Sequence, residues 1–235
     1  LRPLRGSWLE FGISRNKVVT VRIDRRKKFF ATTFLRAIGI SSDEELITAF
    51  SFLGRELTEQ FISNTIKKDP THSTSEALLE IYRKMRPGEP SVLENAQEFL
   101  HNMFFNNRRY DLGKVGRFKL NKKLGLETDN VKDNWVLTRE DILETISYLI
   151  KLSLGENEVD DIDHLANRRV RCVGELVAST AFRVGLLRLE RMVKEKMTLL
   201  GSQESLVPAQ LINARPVIAA INEFFRTNQL STILD

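Results

Sequence analysis

Val19-Thr20-Val21-Arg22-Ile23-Asp24-Arg25-Arg26-Lys27-Lys28-Phe29-Phe30-Ala31-Thr32-Thr33-Phe34-Leu35-Arg36-Ala37-Ile38-Gly39 is the passage on which the fold class turns. Val19, Val21 and Ile23 alternate with Thr20, Arg22 and Asp24. A period of two is that of a strand with one face in a core. Arg25-Arg26-Lys27-Lys28 reads as the turn that follows. From Phe30 to Ile38 the spacing becomes helical, and Gly39 is suited to the left-handed position just past a helix end. A strand that feeds directly into a helix points to an α+β fold.

The neighbouring segments add helices. Ser42-Asp43-Glu44-Glu45 opens one with acids in its first turn. Residues 51–75 are the least periodic, and Lys67-Lys68-Asp69-Pro70-Thr71-His72-Ser73 is loop chemistry. Glu76 to Arg86 predicts a helix stopped by Pro87-Gly88-Glu89-Pro90. Ser91-Val92-Leu93-Glu94 has capping-box spacing, and Leu93, Ala96, Phe99, Leu100, Met103 and Phe104 follow at helical intervals. Residues 106–134 are polar, basic and rich in Gly and Asn, which predicts a long loop or hairpin with strand around 112–120. Thr138-Arg139-Glu140-Asp141 starts a further helix, with Ile142, Ile146, Leu149 and Ile150 on one side. A long helix is predicted over 173–200, and Pro208 and Pro216 sit where first-turn prolines begin two short final helices. The sum is α+β, mostly helical, in two parts with a boundary near 155–170.

Composition narrows the function. The chain has 235 residues, of which 42% are hydrophobic, enough for a real core. Its one cysteine, Cys172, cannot build a disulfide framework and fits a reducing compartment. No apolar run reaches membrane-span length. Both termini read as cut, so the chain is expected to be a fragment. The net charge of +5 is mild but unevenly placed. Residues 1–40 hold ten Lys/Arg against two acids, and residues 108–123 hold seven against one. Such clusters can neutralise phosphates, or can be solvated faces of a basic protein.

Three constellations invite chemistry. Glu158, Asp160, Asp161, Asp163 and His164 offer the oxygen ligands that a hard cation needs. Arg168, Arg169 and Arg171 follow closely, however, so ion pairing is the favoured reading. Those three guanidiniums can clamp phosphates or read a guanine edge, or can form a solvated helix face. Trp8, beside Arg5 and Gly6, can stack on a base or anchor a core. His72, His101 and Cys172 lack metal-ligand spacing. There is no phosphate-binding glycine loop, dinucleotide fingerprint or nucleophile elbow.

Several words of the sequence, taken in order, resemble the β subunit of bacterial-type DNA-directed RNA polymerase. They are Arg5-Gly6-Ser7-Trp8, Val21-Arg22-Ile23-Asp24-Arg25-Arg26, Met85-Arg86-Pro87-Gly88-Glu89-Pro90, Arg109-Tyr110-Asp111-Leu112, Val115-Gly116-Arg117, Asp160-Asp161-Ile162-Asp163-His164, Asn167-Arg168-Arg169-Val170-Arg171, Phe182-Arg183-Val184-Gly185-Leu186 and Gln229-Leu230-Ser231. Phe30 replaces a proline common in the family, so the start of that helix is a point of departure. Segment 51–75 lacks an insertion that some lineages carry. Thr232 replaces a common glutamine.

The resemblance implies an internal piece of a multidomain subunit. Residues 1–165 would be the C-terminal part of the lobe. Residues 166–235 would be the returning segment of the protrusion, running into the fork. Together they would form one jaw of the DNA cleft. It further implies DNA-binding positions at Trp8, Asp163, Arg168, Arg169 and Arg171, with Trp8 stacking on a non-template base and Asp163 and Arg168 bonding an unpaired guanine. Gln229, Leu230, Ser231 and Asp235 would begin the rifamycin-binding region, although so short a part of it is not expected to bind drug. No cofactor is implied for this stretch, since the catalytic Mg²⁺ would be held by aspartates of the β′ subunit. The implied partners are DNA, the RNA–DNA hybrid, the β′ and α subunits, σ factor and the rest of the β subunit, with no membrane. The implied location is the cytoplasm or nucleoid, or a plastid. The fragment alone is expected to be non-catalytic. Two other classes compete: a free-standing basic DNA-binding regulator, and a metal-dependent nucleotidyl enzyme using the acidic cluster.

Overall fold

Val19, Val21 and Ile23 lie buried on the middle strand of an antiparallel sheet in the computed structural model, which describes residues 1–168, 170–200 and 207–227. The strands β1 (Leu9–Ile13), β2 (Val19–Ile23) and β3 (Lys27–Phe30) pair in that order. The turn between β2 and β3 is tighter than its charges suggested. Asp24 and Arg25 take positive φ of 50° and 57°, the hand that matches the twist of a hairpin. Lys27 and Lys28 are already strand, paired with Ile23 and Arg22.

Helix α1 (Ala31–Ala37) follows without a gap. Phe30 caps it with φ −70° and ψ 145°, a backbone that proline would also adopt. At the other end the Gly39 amide bonds to the Arg36 carbonyl and the Ile40 amide to that of Leu35, with Gly39 at φ 102°. This is the Schellman arrangement. Helix α2 (Asp43–Ala49) opens on a complete capping box between Ser42 and Glu45.

Residues 67–73 form the expected loop, but the weakly periodic stretch before them is not irregular. A helical run crosses 55–66 as α3 (Arg55–Leu57), a π turn (Thr58–Ser63) and α4 (Asn64–Ile66). Its buried face carries threonines as well as Phe61 and Ile62. The Thr65 hydroxyl accepts from the Val19 amide at 3.0 Å and donates to the Phe61 carbonyl at 2.6 Å, which ties the run to β2. Helices α5 (Thr74–Met85) and α6 (Leu93–Phe104) come next. The capping box expected at Ser91 does not form. Val92 is the cap, without a side-chain bond, and its carbonyl takes the Ala96 amide.

The region expected as loop or strand holds α7 (Gly113–Leu124). Its buried residues are Gly113 and Arg117, not a row of apolar side chains. Arg117 donates two bonds to Asp141, at 2.6 and 2.9 Å, and both side chains are fully buried. Its remaining donors reach the Asn134 and Val136 carbonyls and, at 3.5 Å, the Asn121 side chain. Asp141 also accepts from the Thr138 amide, closing the capping box of α8 (Arg139–Ser153). Helix α8 packs on β1, and α1 on α5. Phe11, Phe34, Phe104 and Tyr110 run edge-to-face through the core between them.

These elements form one compact unit, Leu1–Val159; the second is Asp160–Asp235. The second unit begins with turns and then α9 (Val173–Leu176), a π turn (Val177–Phe182) and α10 (Arg183–Leu200), in register with the predicted long helix. Pro208 opens α11 (Pro208–Leu211), and Pro216 is the second residue of α12 (Arg215–Thr227). Helices α10 and α12 cross at Gly185, where a Cβ would lie 2.8 Å from the Val217 Cα. No helix among the described residues is long and apolar enough to cross a membrane.

The buried pair sets the first expectation. Asp141→Ala removes the cap and strands a buried guanidinium, so urea unfolding should report a loss of about 3–5 kcal/mol. A loss below about 1 kcal/mol would show that water reaches Arg117. The second concerns Tyr110, whose buried hydroxyl has no hydrogen-bond partner among the described residues. Burial, and then the Asp141 charge, push its ionisation above the ordinary range. Below roughly pH 10 the ring is neutral whether folded or not. Above it the unfolded chain releases the proton first, so stability falls with rising pH. Tyr110→Phe should leave neutral-pH stability within about 1 kcal/mol, because no bond is lost, and should flatten the alkaline decline in urea titrations at stepped pH.

Candidate nucleic-acid interface

Trp8 is neither a core anchor nor a free ring. It is half-buried, just before β1. Its amide donates to the Asp24 carboxylate at 2.8 Å, and its carbonyl accepts from the Asp24 amide at 3.0 Å. The turn that holds Asp24 also delivers Arg25, whose guanidinium lies 4.5 Å from the centre of the indole ring. Arg2 lies over the same ring at 4.2 Å. Both are cation–π contacts, and Arg25 is further oriented by Glu10 at 3.0 Å.

The segment before Trp8 is fixed from another side. Arg5 and Asp111 exchange backbone bonds of 3.0 and 2.8 Å. Gly6, at φ 127°, lies against Tyr110, where a Cβ would come within 2.7 Å of the ring. Three separated words of the sequence, Arg5–Trp8, Ile23–Arg26 and Arg109–Leu112, therefore meet in one place. The sequence singled out Trp8 alone. The signal for the rest was available in Asp24-Arg25, a charged pair in a hairpin turn, and it was missed because their contact with Trp8 is made through a turn of left-handed φ.

Asp163, Arg168 and Arg171 lie in the second unit. Residues 162–168 are turns and bends and residues 170–172 carry no regular structure, so Arg168 and Arg171 are not on a helix face. Local bonds shape the segment. The Asp161 carboxylate accepts from the Asp163 amide at 2.9 Å, and the Asp161 carbonyl from the Asn167 side chain at 2.8 Å. Asp163 and Arg168 come together as an ion pair at 3.6 Å, with side chains 84% and 62% exposed. That separation is long for a hydrogen bond, so both keep donors and acceptors for a third group. Arg171 and Cys172 are exposed. Among the described residues, no three His, Cys, Asp or Glu side chains are grouped to hold a metal ion. Arg169, Gln229, Leu230, Ser231 and Asp235 lie outside the described residues.

The two basic clusters are not uniform surfaces. Arg36 and Arg117, one from each, are buried and serve the fold. Arg36 pairs with Asp43 and bonds the Ser41 carbonyl. On α7 the exposed residues Lys114, Phe118 and Lys122 remain as a cationic face with an aromatic in it.

The second unit also carries apolar residues that face outward. Val159, just before it, and Ile162, Leu165, Val170 and Val173 expose between 66% and 80% of their surface. Such a run is what a subunit presents to neighbours within an assembly. The sequence matches the family of RNA polymerase Rpb2, domain 2, over residues 1–171, which takes in Trp8, the Asp24–Arg25 turn, the buried pair, Asp163 and Arg168. A match across that much of the chain, with its scattered words packed together around Trp8, shows that this chain belongs to the Rpb2 domain 2 family and is part of the second-largest subunit of a DNA-directed RNA polymerase.

Proposed function

We propose that the chain is the lobe and returning protrusion segment of a bacterial-type β subunit, forming one jaw of the DNA cleft and reading non-template bases through Trp8, Asp163 and Arg168. The observation that carries this is the family match over residues 1–171. The chemistry of the three side chains supports it. The ring of Trp8 is half-buried and held by its backbone, so it offers a flat face fixed in place. Asp163 can accept from guanine N1–H and N2–H₂, and Arg168 can donate to O6. Their loose ion pair holds each near the other without consuming either. Those edges are free only in a single strand, which suits the melted region of a promoter.

On this reading Arg169 and Arg171 neutralise phosphates, and residues 229–235 lead into the rifamycin region. The partners are the β′ and α subunits, σ factor, the rest of the β subunit, DNA and the RNA–DNA hybrid. The nucleotidyl-transfer chemistry, with its Mg²⁺, belongs to the β′ subunit, and the compartment is the cytoplasm or nucleoid.

In polymerase assembled with this subunit, Asp163→Ala should reduce the preference for guanine at one downstream non-template position by about 1–3 kcal/mol. General, salt-dependent DNA affinity should change little. Open-complex lifetimes on promoters that differ only at that base give the measurement. Equal shortening on every promoter would make Asp163 structural and end the assignment. Trp8→Ala should instead act at an adjacent position and discriminate weakly among bases, because stacking tolerates sequence.

A further inference from the structure

A cavity of about 370 Å³ opens beside β3, and none of its lining residues is used by the reading above. Val18 and Phe29, both buried, and the half-buried Phe30 supply its apolar floor. Its polar rim is lopsided in charge. Lys28, Lys68 and Lys84 line it, against the single acid Glu80. Lys84 is committed, with its ammonium 2.7 Å from Glu80 and over the Phe29 ring at 5.2 Å. Among the described residues, the ammonium groups of Lys28 and Lys68 have no ion-pair or hydrogen-bond partner. Ser14 adds a hydroxyl that already accepts from the Val18 amide at 3.2 Å and keeps its proton to donate.

The wall that carries Lys68 is fixed. Asp69, next to it and buried, accepts from the Thr32, Thr33 and Thr71 hydroxyls at 2.5, 2.9 and 2.7 Å and from the Thr71 amide at 2.9 Å. Thr33 and Pro70 line the same cavity, so Asp69 anchors the wall to α1. Preformed concavities of roughly 300–1,000 Å³ with an apolar lining and a few polar groups are the usual form of small-ligand sites. Two unpaired cations and a free hydroxyl proton above an apolar floor select the sign of the charge.

We infer that this cavity binds a compact apolar group bearing one anionic function, a carboxylate or a phosphate monoester. The anion sits between Lys28, Lys68 and the Ser14 hydroxyl, and the apolar body rests on Val18, Phe29 and Phe30. The same chemistry is offered by a free small molecule and by an aromatic side chain flanked by an acid on a peptide. The site does not depend on the polymerase reading, since it uses none of Trp8, Asp163 and Arg168.

The test follows methyl resonances of Val18, Thr20 and Thr33 in the full 235-residue chain at low salt. Four probes are titrated: 3-phenylpropionate, phenyl phosphate, neutral 3-phenylpropanamide, and an N-acetylated, C-amidated Ser-Glu-Phe-Ser peptide. The expected result is saturable shifts with at least one anionic probe, and the tightest of these identifies the source. Lys28→Gln and Lys68→Gln should each weaken that probe by roughly tenfold, the loss of a charge-assisted hydrogen bond. Both lysines are exposed, so neither change threatens the fold. Thr20→Phe, which fills the cavity from a strand position, should abolish binding. The inference is overturned if no anionic probe gives saturable shifts, if the neutral amide binds as tightly as the carboxylate, or if binding survives both lysine changes.

Discussion

A guanidinium with no exposed surface has to find a partner for every donor, and the first unit is arranged around one that does. Arg117 is held by the Asp141 carboxylate, two backbone carbonyls and Asn121. An unmet donor here would cost more than a surface pair could return, because the low-dielectric interior strengthens both the bond and the penalty for its absence. The requirement is severe enough to fix three pieces of chain at once: α7, the segment 129–137 and the start of α8. Asp141 serves a second purpose as the capping carboxylate of α8, so the pair joins helix initiation to tertiary packing.

The candidate interface depends on that pair through a short series of contacts. The Leu112 amide bonds the Trp135 carbonyl at 2.7 Å, in the segment whose neighbouring carbonyls serve Arg117. Tyr110, two residues earlier, packs on Phe104 and presses on Gly6, and Asp111 pairs with Arg5. Gly6 and Arg5 in turn set the approach of Trp8 to the Asp24 turn. A base-stacking ring is useful only if it does not have to be ordered on each encounter, since ordering costs binding free energy. The core pair thus holds, from a distance, the backbone on which Trp8 is mounted, as the stacking role proposed for that ring requires.

The second unit follows a different logic. In its opening segment the apolar side chains Ile162, Leu165 and Val170 face outward. The base-reading role proposed for Asp163 and Arg168 would gain from such exposure, because the two satisfy each other only loosely. A polymerase subunit works within an assembly, and the exposed Ile162, Leu165 and Val170 are apolar surface of the kind such an assembly can cover.

Much of this architecture was legible in the chain. The alternation of Val19, Val21 and Ile23, the glycine after α1, the helix starts at Ser42 and Thr138, and the prolines opening the last helices are all local signals, and local hydrogen bonding and backbone sterics suffice to enforce them. The closeness of Asp163 to Arg168 was likewise readable, since five residues and opposite charges leave little freedom. What the sequence alone could not decide were the features whose cause lies far along the chain. Helix α7 was hidden because its buried face is a glycine and an arginine, and an apolar period cannot register a guanidinium whose partner lies 24 residues away. The run 55–66 was hidden because Thr58 and Thr65 occupy buried positions and a π turn shifts the register. Around Trp8, the residues that cover the ring are chosen by a turn of left-handed φ and by a bridge to Asp111. Both are settled only when the sheet and the core have closed, because only then is the unsatisfied backbone between them forced to pair.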